Sequence, residues 1–225
     1  MKFYNSIGPN PRVVKMFMAE KGIDIPRVEV NLMAGENRQG PHLARNPSGQ
    51  TPTLELDDGV MLAEILPICE YLEEIHPNPP LVGSNAEERA VTRMWARRVD
   101  LAIIEPLTNG FRFAEGLALF ENRVRCIPQA ADDLKTIARE KLAWLDGLIA
   151  GRKYLVGDRF TLADIHLFVF LDFAAQVGQP LDPANKNLAA WQARVAERPS
   201  VAASAENPHS HGARRTGRRA ATPSR

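Results

Sequence analysis

Asn-Pro-Ser-Gly-Gln-Thr-Pro-Thr-Leu-Glu-Leu, residues 46–56, leads through a tight turn into Leu-Ala-Glu-Ile-Leu-Pro-Ile-Cys-Glu-Tyr-Leu, residues 62–72. This stretch sets a proline, Pro52, at the start of a strand and a carboxylate, Glu64, at the start of a helix twelve residues later. X-Pro is the one peptide bond for which the cis form is accessible, so 51–52 is a candidate cis bond. A cis turn there projects the main-chain N–H and C=O of Thr51 out of the sheet, where an extended peptide can pair with them as a strand would. Glu64 can hold an ammonium group beside it. Together these residues describe a small site for a charged peptide. Plain turn chemistry before a strand, and a carboxylate suited to a helix dipole, account for the same residues without a ligand.

Upstream, Phe3-Tyr4-Asn5 reads as a short strand. Val13, Val14, Phe17 and Met18 recur at helical spacing, with Asn10 as N-cap, Pro11 as first helical residue and Gly22 as stop. Val28, Val30 and Leu32 alternate with polar residues as in a half-buried strand, which makes residues 2–32 a βαβ unit with parallel strands. Residues 33–49 are polar, with a short helix expected around Pro41–Arg45. Thr53–Leu56 and Val60–Leu62 flank Asp57-Asp58-Gly59, a hairpin signal. The helix from about Glu64 presents Ile65, Ile68, Cys69, Leu72 and Ile75 as its apolar face.

Downstream of His76–Pro80 and a linker at Leu81–Asn85, strand signals vanish. Three helical stripes follow, through Val91–Ile103, Leu134–Ile149 and Leu188–Val195. Thr161 and Asp164 have capping-box spacing, a core-organising motif without chemistry. The run Leu167–Leu171 is apolar on every face, as a central helix requires. The division is therefore 1–80, an α/β domain; 86–205, an all-helical domain; and 206–225, a basic tail with five Arg and one Glu, expected to be disordered.

Composition bounds the function. Of 225 residues 44% are apolar, enough for a sizeable core. The net charge of +1 is split between +4 on the tail and −3 on residues 1–205, which argues against nucleic-acid binding by the folded part. No apolar run reaches the ~20 residues of a membrane span. No signal-peptide core follows the N-terminus. Cys69 and Cys126 form no Cys-x-x-Cys motif, and the five histidines have no metal spacing, so no metal is expected and a reducing cytoplasm is the default.

The order and spacing of Asn46–Leu56 with Pro52, Glu64–Leu72 and Gly157–Ile165 resemble the cytosolic glutathione S-transferases over roughly residues 2–202. The resemblance implies a thioredoxin-like N-terminal domain, an all-α C-terminal domain and a homodimer. It implies that the Thr51 backbone pairs with the cysteinyl part of glutathione, that Pro52 is cis, and that Gln50 lies near the glycine end. Glu64 and the residue after it would contact the γ-glutamyl end. The family commonly has Ser at that second position and this chain has Ile65, so weaker glutathione binding is expected, with the Ile65 N–H at a helix N-terminus still able to take an anion.

The family reaction needs glutathione as thiolate, the nucleophilic form. The group that stabilises it would lie between the first strand and the first helix, where Ser6, Asn10 and the backbone amides nearby are the candidates. Gly8-Pro9-Asn10-Pro11 resembles the Thr-Pro-Asn-Gly loop of certain bacterial members, with Asn10 in the asparagine position and Gly8 in place of threonine. Tyr4 lies within the strand and matches the catalytic tyrosine of other classes poorly. No cysteine lies between Ser6 and Arg12. Phe111, Arg112 and Phe113, with Phe120, are candidates for the second-substrate pocket; Arg97, Arg98 and Asp100 read as a solvated face or dimer edge. The implied activity is conjugation of glutathione to an electrophilic, partly apolar small molecule. A glutathione-dependent disulfide or peroxide reductase and a non-catalytic binding protein are the alternatives.

Overall fold

Gly8, Pro9 and Pro11 decide where the first helix begins. In the computed structural model, which describes residues 1–205, β1 (Lys2–Asn5) is followed by α1 (Pro9–Lys21). Gly8 precedes α1 at φ 112, a region that L side chains rarely adopt, so glycine frees the chain to turn straight from strand into helix. This corrects the placement of Asn10. The asparagine sits inside the first turn and makes no capping hydrogen bond, because Pro9 already occupies the opening helical position.

β2 (Arg27–Glu29) runs parallel to β1; β3 (Thr53–Glu55) and β4 (Met61–Ala63) complete a four-stranded sheet in the order β2-β1-β3-β4, with β3 antiparallel to β1 and β4 antiparallel to β3. The predicted hairpin is present: the Leu56 and Gly59 amides donate to the Val60 and Leu56 carbonyls. β2 is shorter than its alternation suggested and exposed throughout; only Val30, just past its end, is buried. α2 (Gly40–Leu43) lies in the long connection to β3, and α3 (Ile65–Ile75) follows β4. α3 buries Ile68, Cys69 and Leu72, whereas Ile75 at its last turn is 41% exposed and leaves the predicted apolar face.

The remainder is helical: α4 (Ala86–Val99), a single π-helical turn (Asp100–Ile104), α5 (Glu105–Arg112), α6 (Leu117–Phe120), α7 (Ala131–Leu148), α8 (Leu162–Gln176), α9 (Lys186–Ala196) and α10 (Pro199–Ala205). A thioredoxin-like α/β part is thus followed by an all-α part. Every residue of α8 from Leu162 to Leu171 is buried, as the unbroken apolar run required. α1 packs on α8, α10 and α3, so the sheet's first helix is held by the helical part.

Three polar devices lock that junction. The fully buried Lys21 ammonium lies 2.7 Å from Glu73 and donates to the His76 and Pro79 carbonyls, while Glu73 accepts from the Leu81, Val82 and Gly83 amides. A buried pair is tolerable only when its hydrogen bonds are satisfied in this way. Arg198 on the approach to α10 grips Glu20 of α1 with two bonds of 2.7 and 2.6 Å, and Arg12 of α1 pairs with Asp172 of α8. Among the described residues no helix is long and apolar enough to cross a membrane. The basic tail expected over 206–225 lies outside the described residues.

Candidate functional site

A polar cavity of about 300 Å³ opens where the loop before β3 and the start of α3 meet the π-helical turn, α5 and α8. Gln50, Thr51, Pro52, Glu64 and Ile65 all line it, as does Asn10. The Thr51–Pro52 bond is cis. Among the described residues neither the N–H nor the C=O of Thr51 has a hydrogen-bond partner. A main-chain donor and acceptor left open at a cavity wall are what an extended peptide can pair with.

The loop that presents them is pinned from behind. The Gln50 carbonyl accepts from His42 Nε2 at 2.8 Å and from Asn46 Nδ2 at 3.0 Å, and the Gly49 carbonyl accepts from Asn37 Nδ2 at 2.7 Å. Gly49 takes φ 63 with its Cα against the Asn37 carbonyl, 2.9 Å from where a Cβ would stand, so no other residue fits that turn.

Glu64 has φ 69, the one positive φ outside glycine among the described residues. A carboxylate-bearing residue held in that region is strained by about 1–3 kcal/mol, and such strain concentrates at ligand clamps. The conformation puts Glu64 immediately before α3, so its carboxylate and the free amides of the helix N-terminus face the same cavity.

Arg112 apart, the opposite wall is built from residues outside the sequence candidates. Asp100 and Ile104 sit on the π-helical turn, and Glu105, Thr108 and Arg112 follow on α5. The extra residue of a π turn rotates side chains that a regular helix would point elsewhere. Asp100, read from the sequence as part of a solvated face, therefore lines the cavity. Burial pushes its carboxyl up despite Arg97, with Glu105 and Glu64 adding to the effect. His166 also contributes. It is 2% exposed, its Nδ1 has no partner, its ring meets Phe170 edge-on at 5.3 Å, and burial drives its pKa down to about 4. The sequence carries one sign of it, an ionisable residue in the otherwise apolar run Ile165–Leu171.

Next to this cavity lies a second, also about 300 Å³, whose walls are mainly apolar: Ile7, Met33, Phe111, Leu119, Phe120 and Phe173. The two share Asn10, Gln50, Thr51, Thr108, Arg112 and Phe170. Of the predicted second-substrate residues, Phe111 and Arg112 line this cavity, and Phe111 packs edge-on against Phe120 (6.1 Å) and Phe173 (5.3 Å). Phe113, at the C-cap just past the end of α5, lines neither cavity, which corrects its assignment.

The two candidates near the sulfur position part company. Ser6, at the end of β1, is buried; its hydroxyl bonds with the Thr51 hydroxyl and reaches the Ile7 carbonyl, and it lines neither of the two cavities. Asn10 lines both. Pro9 and Pro11 have no N–H, so Asn10 supplies the opening turn of α1 with a main-chain amide and a side-chain amide at its positive end. Tyr4 is engaged elsewhere, donating to Glu55 at 2.6 Å. Neither cysteine lines either cavity; Cys69 is buried, and burial together with Glu70 and Glu73 pushes its thiol well up. Among the described residues no cluster of His, Cys, Asp and Glu could hold a metal.

Residues 7–75 match the sequence model of the glutathione S-transferase N-terminal domain, and residues 127–199 match that of its C-terminal domain. The chain is 34% identical over 201 residues to glutathione S-transferase 2 of Saccharomyces cerevisiae, covering 86% of this chain and 84% of that protein. It is 36% identical over 171 residues to a maleylacetoacetate isomerase of Pseudomonas aeruginosa, covering 75% and 78%. Among solved structures, Gtt2 of S. cerevisiae superimposes with a TM-score of 0.84 at 32% identity, covering 91% of this chain and all of that one. A glutathione S-transferase domain-containing protein of Marinobacter aquaeolei gives 0.83 at 35%, covering 89% and 100%.

Proposed function

The chain belongs to the glutathione S-transferase family, and from that premise we propose that it conjugates the thiolate of glutathione to an electrophilic, partly apolar small molecule. The observation that carries this reading is the junction of the two cavities, where the unpaired Thr51 peptide group and Asn10 stand together. In this reading the cysteinyl backbone of glutathione pairs with Thr51, its γ-glutamyl ammonium meets Glu64, and its γ-glutamyl carboxylate meets the amides opening α3 at Ile65. Gln50 receives the glycine end. The thiol then lies at the positive end of α1, where an Asn10 amide donates to sulfur. Donation to the charged form lowers the thiol pKa, and the proton leaves to solvent. The thiolate attacks an electrophilic carbon held in the apolar cavity.

A glutathione-dependent disulfide or peroxide reductase is the second reading, because the same thiolate at Asn10 can attack a disulfide sulfur or a peroxide oxygen, with a second glutathione completing the reduction. Turnover of an aryl halide against a small disulfide separates the two readings. The proposal extends to a two-domain division at Leu81–Asn85 and to a homodimer, for which Met94 and Leu101, both exposed, offer apolar surface along α4 and the π turn.

Asn10→Ala is expected to raise the pKa of bound glutathione by about one to two units, the worth of one hydrogen bond to a charged group. Ser6→Ala is expected to move it by less, since that hydroxyl is engaged with Thr51. Ultraviolet titration of thiolate absorbance in the two variants measures both. Equal or reversed effects reject the role given to Asn10.

A further inference from the structure

The second cavity is apolar, yet three arginines face it, Arg38, Arg112 and Arg123, and no Asp or Glu lines it. Other arginines near the domain junction are paired: Arg12 with Asp172, Arg93 with Glu70 and Arg198 with Glu20. Among the described residues Arg38, Arg112 and Arg123 form no ion pair. Each donates only to neutral oxygen: Arg112 to Asn109 Oδ1 at 3.0 Å, Arg123 to the Leu32 carbonyl at 3.1 Å and Arg38 to the Ser48 carbonyl at 3.1 Å.

Arg112 is half-buried. Burial pulls its pKa down, and its guanidinium lies 5.7 Å from the Phe120 ring centre. Glu105, on the first cavity that Arg112 also borders, steadies it electrostatically but forms no ion pair with it and accepts from Asn109 at 2.9 Å instead. A cation partly withdrawn from water on an apolar wall carries a desolvation cost that a matching anion offsets. Among the described residues no carboxylate stands within ion-pairing distance of Arg112, Arg123 or Arg38 on the apolar cavity's side, and the cavity has room for one to arrive with a ligand. Arg38 stands beside Gly49 and Gln50, where the glycine end of glutathione is placed above, and so is assigned to the tripeptide's own carboxylate. Arg112 and Arg123 remain.

We infer that the second substrate is an aromatic or otherwise apolar electrophile bearing a carboxylate, with its ring among Phe111, Phe120 and Phe173 and its carboxylate held by Arg112 and Arg123. The planar guanidinium presents paired donors that match the two oxygens of a carboxylate, which an ammonium does not. The inference deepens the transferase reading and rests on its placement of the second substrate. For an aryl chloride the step is a displacement. The thiolate forms a C–S bond, the C–Cl bond breaks with its electron pair on chloride, and no oxidant or reductant is needed.

The test uses the full chain and two matched pairs of compounds. The first pair is the conjugate S-(4-carboxy-2-nitrophenyl)glutathione and its carboxamide, whose affinities are compared by calorimetry. The second is 4-chloro-3-nitrobenzoate and 4-chloro-3-nitrobenzamide, whose enzymatic kcat/KM values are each divided by the uncatalysed rate with glutathione. The carboxylate conjugate is expected to bind about tenfold more tightly than the carboxamide, the scale of one charge-assisted hydrogen-bonded contact. That ratio should fall toward one in Arg112→Gln/Arg123→Gln, and Arg112→Lys should retain part of it. A wild-type ratio near one, or a ratio unchanged in the double variant, overturns the inference whether or not the protein turns over. Tight, carboxylate-selective binding of the conjugate without turnover of either chloride sustains the inference and removes the transferase reading instead.

Discussion

Asp164→Ala is expected to destabilise the fold by about 3–5 kcal/mol, read as a lower urea midpoint with the slope of the transition retained. The carboxylate of Asp164 is fully buried and accepts four hydrogen bonds: from the Leu155 amide (2.9 Å), the Thr161 amide (2.9 Å), the Thr161 hydroxyl (3.0 Å) and the Trp191 indole (2.9 Å). Burial pushes its carboxyl up, and those four donors pull it back. One residue thereby ties the start of α8 to the segment before it and to α9. Alanine leaves the donors buried and unpaired, and an unmade buried hydrogen bond costs more than a made one contributes. Asp164→Asn keeps an acceptor oxygen and should fall between wild type and alanine. A loss below about 1 kcal/mol for alanine would show that the capping segment organises less of the core than its geometry indicates.

His166 gives the second large effect, and it depends on pH. Its pKa is about 4 in the folded chain against an ordinary value of 6.5, because burial disfavours the imidazolium. As pH falls through 6.5 the unfolded chain takes up the proton first, so the unfolded state gains and stability declines. The decline continues to about pH 4, where the folded protein protonates as well, and then levels off. The full contribution is present above the unfolded pKa, and its size is about 3 kcal/mol. His166→Gln removes it. The stability difference between wild type and His166→Gln should therefore shrink by about 3 kcal/mol in favour of the variant between pH 6.5 and pH 4, measured by urea unfolding at each pH. The charged groups on the same cavity, Glu64, Asp100, Glu105 and Arg112, are common to both proteins. A difference independent of pH would mean that the ring is solvated in the folded state.

Much of the site was legible because it rests on residues with few conformational options. Pro52 marked a bond with access to cis, Asp57-Asp58-Gly59 marked the hairpin, and the spacing of Thr161 and Asp164 marked the capping segment; all three stand where they were read. What was misread depended on neighbours that periodicity does not reveal. The alternation at Val28–Leu32 suggested a half-buried strand, yet β2 is exposed throughout at the sheet edge, with β1 on one side and no strand on the other. Asn10 looked like a cap because Pro11 suits the first helical position, but Pro9 suits it equally and Gly8 let the helix start earlier. Asp100 was hidden by a π turn, which shifts the helical register that a sequence stripe assumes. His166 was hidden by its neighbours: the apolar run around it announces burial but not the gap in the packing that its ring borders.

The central claim is that glutathione lies along Thr51 with its sulfur at the opening turn of α1. A crystal structure with glutathione bound tests it most directly. The expected complex has the cysteinyl N–H and C=O paired with the Thr51 main chain, the γ-glutamyl group at Glu64, and the sulfur within hydrogen-bonding distance of an Asn10 amide. Glutathione found with its sulfur away from Asn10, or with Thr51 unpaired in the complex, would contradict it.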